Sequence, residues 1–219
     1  MAVQSALALG LHRGKETHVI FLPDEQAVRR NVWRTVFVLD RFLAAALGRP
    51  TMITEEDCSD DSLNGPGEPS VLAPRIASSV SVAVEIAKVV GRILQKIYST
   101  RRVSVRLGQQ FAVDCGRLEK FLLEELHWER AMDPETPPTQ AVSVLHLNLS
   151  YDHAVVLYTR PFFLFLLKKD QVDGIPPARF GNRMQRFSQT CVTTSEHTIR
   201  LVHGAFAARY LPRRNPFVM

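Results

Sequence analysis

Cysteine is scarce in this chain of 219 residues: there are three, Cys58, Cys115 and Cys191, with no Cys-x-x-Cys pair among them. So few, so far apart, exclude a disulfide framework and a cysteine-built zinc cluster, and a reducing intracellular compartment is the simplest setting. Long hydrophobic runs are also missing. The most apolar stretch, HAVVLYTRPFFLFLL at 153–167, is broken by Arg160 and Pro161 and falls short of the roughly 20 residues that cross a bilayer, so no membrane association is expected. MAVQSALALG has neither a basic front nor a long apolar core, so no secretory signal is expected. Strand-like alternation of useful length is absent, which predicts an all-α fold.

Catalytic signatures are lacking as well. There is no G-x-S-x-G, no phosphate-binding loop and no H-E-x-x-H. Glu124-x-x-His127 has the spacing used in di-iron bundles but lacks the second copy such a site needs. His146 and His153 share a helical face beside Asp152 without further clustered ligands, which reads as core or interface. Ser195, Glu196 and His197 are sequence neighbours that one helix points in different directions, so they make no triad by themselves. These residues predict no catalytic, cofactor-binding or metal site.

What is present is apolar residue enough for a core, 46% of the chain, with a net charge of +5 carried mainly by 21 Arg against 6 Lys. The arginines are scattered. The densest group, RRVSVR at 101–106, has no interleaved aromatics for base stacking and reads as a solvated loop. A single helical domain over 1–219 is the expected organisation.

The first long helix is expected over 25–47. Asp24 stands where it can cap the first amides, Glu25 suits the positive end of the dipole, and Gly48 and Pro50 supply the stop. Arg30, Trp33, Phe37, Asp40, Ala44 and Leu47 recur at three- and four-residue steps, so they form one stripe. That stripe sets a carboxylate and a guanidinium in line with two large aromatics. Arg30 and Asp40 lie about 15 Å apart along the axis and need separate partners. Arg49, His12 and Arg13 are the candidates for Asp40, with the pair acting as a structural pin.

Residues 6–57 then resemble the regulatory region, the middle homology domain, of fungal transcription factors that carry a binuclear zinc cluster. The matching pieces run in order: an LGLHR segment (Leu9, Gly10, Leu11, His12, Arg13), a helix reading RR-x-x-W-x-x-F-x-x-D-R (Arg29, Arg30, Trp33, Phe37, Asp40, Arg41), and LGRP (Leu47, Gly48, Arg49, Pro50). A weaker match is the Arg160-Pro161-Phe162 element. The resemblance implies an all-α regulatory domain of a nuclear transcription factor that controls transcription in response to an effector or partner. It implies structural roles for these signature residues, and partners among the transcription machinery, co-regulators or a second copy. Family members bind zinc and DNA through an N-terminal six-cysteine cluster and have further helices before LGLHR. Neither is among these residues, so the chain reads as a truncated copy, with no cofactor of its own and DNA contact only through the missing module. Two alternatives remain: a free-standing interaction module derived from such a factor, and a helical enzyme or cofactor binder.

Beyond the signature, 54–74 is acidic and then rich in Gly, Ser and Pro, and reads as a flexible surface excursion. Helices are expected over 76–98, 107–128, 140–169 and 183–208. Ala83, Ala87 and Gly91 offer a small-residue face in the first of these. Pro161 is expected to kink or end the fourth helix near Arg160, whose guanidinium could serve the freed carbonyls. An apolar cleft beside that helix, binding an apolar or weakly acidic effector, is the expected small-molecule site.

Overall fold

The computed structural model describes residues 2–14, 19–59, 62–63, 79–100, 104–131, 136–176 and 180–210, without the side chains of 123–125 and 130–131. Helices account for the regular structure, with no strand among the described residues. The chain divides into two compact units, Met1–Gln95 and Lys96–Met219.

The first unit begins with α1 (Ala2–Ala8). It stops because Gly10 adopts a left-handed φ of 67°, a conformation that costs a glycine no Cβ clash. The Leu11 N–H reaches back to the Ala6 carbonyl at 3.1 Å and the Gly10 N–H to Leu7 at 2.9 Å, the paired bonds of a Schellman closure. That closure carries Leu11 into the core beside Ala6, Trp33 and Phe37. The LGLHR segment therefore begins as a helix stop.

Next comes α2 (Pro23–Leu47), which starts slightly earlier than expected. Pro23 occupies the first turn, where no N–H is needed. Asp24 is not the cap. It sits inside the first turn beside Glu25, whose carboxylate accepts the Leu22 N–H at 3.2 Å. The inward face holds Trp33, Arg34, Phe37, Asp40, Arg41 and Ala44. Two members of the expected stripe depart from it: Arg30 is half-buried and Leu47 is exposed, since a 3.6-residue helix drifts about 20° per heptad from a fixed seam. From Val28 to Leu47 every exposed residue (Val28, Asn31, Val32, Thr35, Leu39, Leu43, Ala46, Leu47) is uncharged, whereas Arg34, Asp40 and Arg41 are buried.

Against α2 packs α3 (Ser79–Ile93), which runs into a wider π turn at Leu94–Ser99. The small-residue face predicted on this helix is taken up by α2. Ala87 joins the Trp33 and Phe37 cluster, and a Cβ added at Gly91 would lie 3.3 Å from the Arg41 Nε. Ile76 lies outside the described residues, as does most of the 54–74 excursion. The described part of that excursion is anchored, with Ser62 and Leu63 buried and Ile53 buried just before it.

The second unit contains α4 (Val105–Glu125), α5 (Trp128–Ala131), α6 (Pro138–Asp173) and α7 (Asn182–Ala207). Ser104 caps α4 by accepting the Leu107 N–H at 3.2 Å. The long α6 is the centre, with α4, α5 and α7 packed on it. Its aromatic core joins Phe111, Tyr158, Phe162 and Phe187, with Phe162 and Phe187 centroids 4.8 Å apart. Of the two outcomes expected at Pro161, a kink or an end, the end does not occur: α6 continues through it. The ring removes the N–H that would bond Leu157 four residues back. Tyr98 supplies the replacement, its hydroxyl donating to the Leu157 carbonyl at 3.0 Å, whereas Arg160 is exposed.

Trp33 and Phe37 are fully buried, so truncation removes transfer energy and leaves a cavity. Trp33→Ala and Phe37→Ala are each expected to cost about 3 to 5 kcal/mol, measured by urea denaturation. An unchanged midpoint for both would place the wrong face inside.

Candidate functional site

Two places concentrate polar chemistry: the interior of the signature in the first unit and a cleft in the second. In the first, Asp40 accepts the Met52 N–H at 3.0 and 3.1 Å and the Ile53 N–H at 3.2 Å, while Arg41 Nη1 donates to it at 3.0 Å. None of the expected partners holds it. Arg49 and Arg13 are exposed, and His12 packs its ring 5.9 Å from Trp33. The Arg41 guanidinium lies 3.8 Å over the Phe37 ring. Burial pulls its pKa down, while Asp40, Glu55 and Cys58 nearby pull it back.

Around this pair the same residues tie neighbouring loops. Arg34, absent from the expected stripe, donates from Nε to the Leu63 carbonyl at 2.6 Å. The Ser59 N–H and hydroxyl both reach the His12 carbonyl, at 3.1 and 3.2 Å, and the Ser59 oxygen accepts the Gly14 N–H at 2.6 Å. Arg29 donates to the Leu9 carbonyl and covers the Phe21 ring at 4.1 Å. Burial pushes the Cys58 thiol up to about 11, and it donates to the Thr54 carbonyl at 3.3 Å. The buried Trp33 indole N–H has no hydrogen-bond partner among the described residues. Gly48 closes α2 at a φ of 63°, with the Arg49 N–H returning to Ala44 at 3.0 Å, and Pro50 follows in the exposed turn.

The cleft has a volume of about 370 Å³ and is open to solvent. Helix α4 lines it with Cys115, Glu119 and Leu122, α6 with Tyr151, Asp152 and Tyr158, α7 with Thr190, Thr194 and His197, and Trp128 of α5 closes one side. At its base the buried Asp152 carboxylate meets His197 Nδ1 at 2.8 Å and accepts the Thr198 hydroxyl at 3.2 Å. Burial raises the Asp152 pKa, against the opposing pull of His197 and Thr198. Tyr151 and Tyr158 are pushed up by burial first, with the Glu119 charge adding to it, so both phenols stay protonated. Apolar side chains such as Leu122, Trp128 and Val155 share the lining about equally with carboxylate, hydroxyl and imidazole groups.

A family profile described as the fungal specific transcription factor domain matches residues 1–110. The chain belongs to this family. Similar proteins are an uncharacterized transcriptional regulatory protein of Schizosaccharomyces pombe, 28% identical over 93% of this chain and 25% of its own length; filamentous growth regulator 27 of Candida albicans, 28% identical over 75% and 22%; and activator of stress genes 1 of Saccharomyces cerevisiae, 23% identical over 81% and 20%. The chain thus spans a quarter or less of these relatives. No solved structure matches it. It is the regulatory domain of a fungal transcription factor.

In this fungal transcription factor domain the signature residues from Leu9 to Pro50 lie inside the matched residues, whereas Arg160, Pro161 and the cleft lining, which begins at Ala112, lie beyond them. His197 has only Ser195 and Glu196 beside it in sequence, which cannot complete a triad, and its partner is Asp152, 45 residues away. His146 is exposed, and burial lowers the His153 pKa. The Glu124 side chain lies outside the described residues. Among the described residues no three His, Cys, Asp or Glu side chains group to hold a metal. The zinc that the resemblance implies for longer family members therefore finds no fitting ligand set in the described part of this chain. No described helix is long and apolar enough to cross a membrane.

The raised Asp152 pKa has a testable sign. The folded chain binds this proton more tightly than the unfolded chain, so the group's contribution to stability grows as pH falls from neutral through the raised value. Asp152→Asn is expected to remove that rise, leaving a flatter acid-side dependence of the melting temperature. Superimposable wild-type and variant pH profiles would contradict the assignment.

Proposed function

We propose that this domain sets the activity of its transcription factor through occupancy of the second-unit cleft, with the signature residues Leu9, Gly10, Leu11, His12, Arg13, Arg30, Trp33, Phe37, Asp40, Arg41, Gly48, Arg49, Pro50, Arg160 and Pro161 serving the scaffold rather than a ligand. The observation that carries this reading is the cleft: three helices and Trp128 surround an open volume whose polar groups converge from separate elements. In the first unit, by contrast, Asp40 of the signature is spent on two backbone amides and Arg41, and the neighbouring Arg34 on the Leu63 carbonyl. An occupant shifts activity only as far as it prefers one arrangement of helices over another. The role is regulatory rather than catalytic, in the nucleus, with co-regulators as the proteins that read the state. DNA contact belongs to a separate module of the full-length factor.

The uncharged outer face of α2 supports a protein partner as well. A second copy is the occupant favoured, because two such faces meet without like-charge repulsion. Light scattering is expected to show a dimer that Leu39→Glu dissociates; a monomer at every concentration would remove this part of the reading.

The test of the cleft is a reporter driven by the chain fused to an unrelated DNA-binding domain. Thr194→Trp, which fills the cleft, is expected to change reporter output severalfold while the melting temperature holds. An unchanged output from a folded Thr194→Trp fusion would sink the reading.

A further inference from the structure

We propose that the cleft lined by α4, α6 and α7 takes a small organic cation, an ammonium group carried on an aromatic body. This rests on the reading of the cleft as the effector site and names the ligand class. Two carboxylates, Glu119 and Asp152, face the space from different helices, and no Lys or Arg stands among the described lining residues. Asp152 is fixed in place by His197 and Thr198, and Glu119 stands exposed at the rim.

The hydroxyl groups bias the site in the same direction. Thr190 and Thr193 donate their protons to the Arg186 and Gln189 carbonyls of their own helix, at 2.9 and 3.1 Å. Their remaining lone pairs are therefore offered to donors. An ammonium carries three donors and no acceptor, which matches the carboxylate and threonine oxygens that share the lining with two histidines, Asn148 and two tyrosines. A carboxylate ligand would instead meet Glu119 and Asp152 with no Lys or Arg in the described lining to offset them. Burial raises the Tyr151 and Tyr158 pKa values and the Glu119 charge adds to both, in keeping with a carboxylate that shares the cleft with them.

Trp128 supplies the apolar wall. Its ring stands 6.1 Å from His127, stacked, and 6.1 Å from His197, edge-on. An indole so placed offers a face to an aromatic body or to the ammonium itself.

Three probes of one shape separate the possibilities: phenethylamine, 2-phenylethanol and phenylacetate, titrated calorimetrically into the full chain at about pH 8, where an ordinary imidazole is neutral. Phenethylamine is expected to bind, to weaken about tenfold in Glu119→Gln, the loss of roughly one charge contact, and to be lost in Thr194→Trp. Arg117→Gln, on α4 outside the lining, is expected to leave binding unchanged. Equal or tighter binding of the alcohol or the acid overturns the cation assignment while leaving the effector reading standing. No binding of any probe at low-millimolar concentration also overturns it, and the Thr194→Trp reporter then decides the effector reading separately.

Discussion

Asp40 is buried on the inward face of α2, and the first unit is arranged around the need to satisfy it. An isolated buried carboxylate costs several kcal/mol, and an ion pair alone offsets that cost poorly. Here the charge is answered by one guanidinium and two consecutive backbone amides. Because Met52 and Ile53 must present those amides, the chain has to turn back after Gly48, Arg49 and Pro50. The turn delivers Ile53 to the same core as Trp33 and Phe37. Arg34 then holds the Leu63 carbonyl, so a segment that reads as polar loop is fixed at both ends of its described part.

Helix positions were legible because periodicity and stops are local. The Trp33, Phe37, Asp40 and Ala44 stripe, Gly48 as terminator and the order of long helices all follow from spacing and from residue chemistry within one or two turns. The partners were not. Asp40 is bonded to amides 12 and 13 residues on, and a backbone N–H has no residue type to read. Tyr98 serves the carbonyl freed by Pro161 from 59 residues away. Arg160, next to the proline, looked better placed only because adjacency in sequence was the available measure. Likewise the sequence neighbours of His197 are Ser195 and Glu196, whereas the packing of α6 on α7 brings Asp152 to it.

The two units differ in how their polar groups are spent. In the first, arginine, aspartate and serine side chains close on carbonyls and amides of their own fold. In the second, Glu119, Tyr151, Asp152 and the α7 threonines open onto solvent-accessible space. The family match ends at residue 110, before the cleft lining begins. A scaffold fixed by backbone partners and a cleft built from side chains can vary independently, since a ligand preference is set by a few residues grafted on the fold.

Hydrogen exchange at the Met52 and Ile53 amides, compared between the chain and Asp40→Asn, tests the central claim most directly. Asparagine keeps the size and one acceptor oxygen but removes the charge and sets a donor amide where the other oxygen stood. If the carboxylate organises the turn, both amides exchange on the order of tenfold or more faster in the variant, a loss of about 1.4 kcal/mol of local protection, with α6 and α7 unaffected. Equal protection of both amides in the two proteins would contradict it.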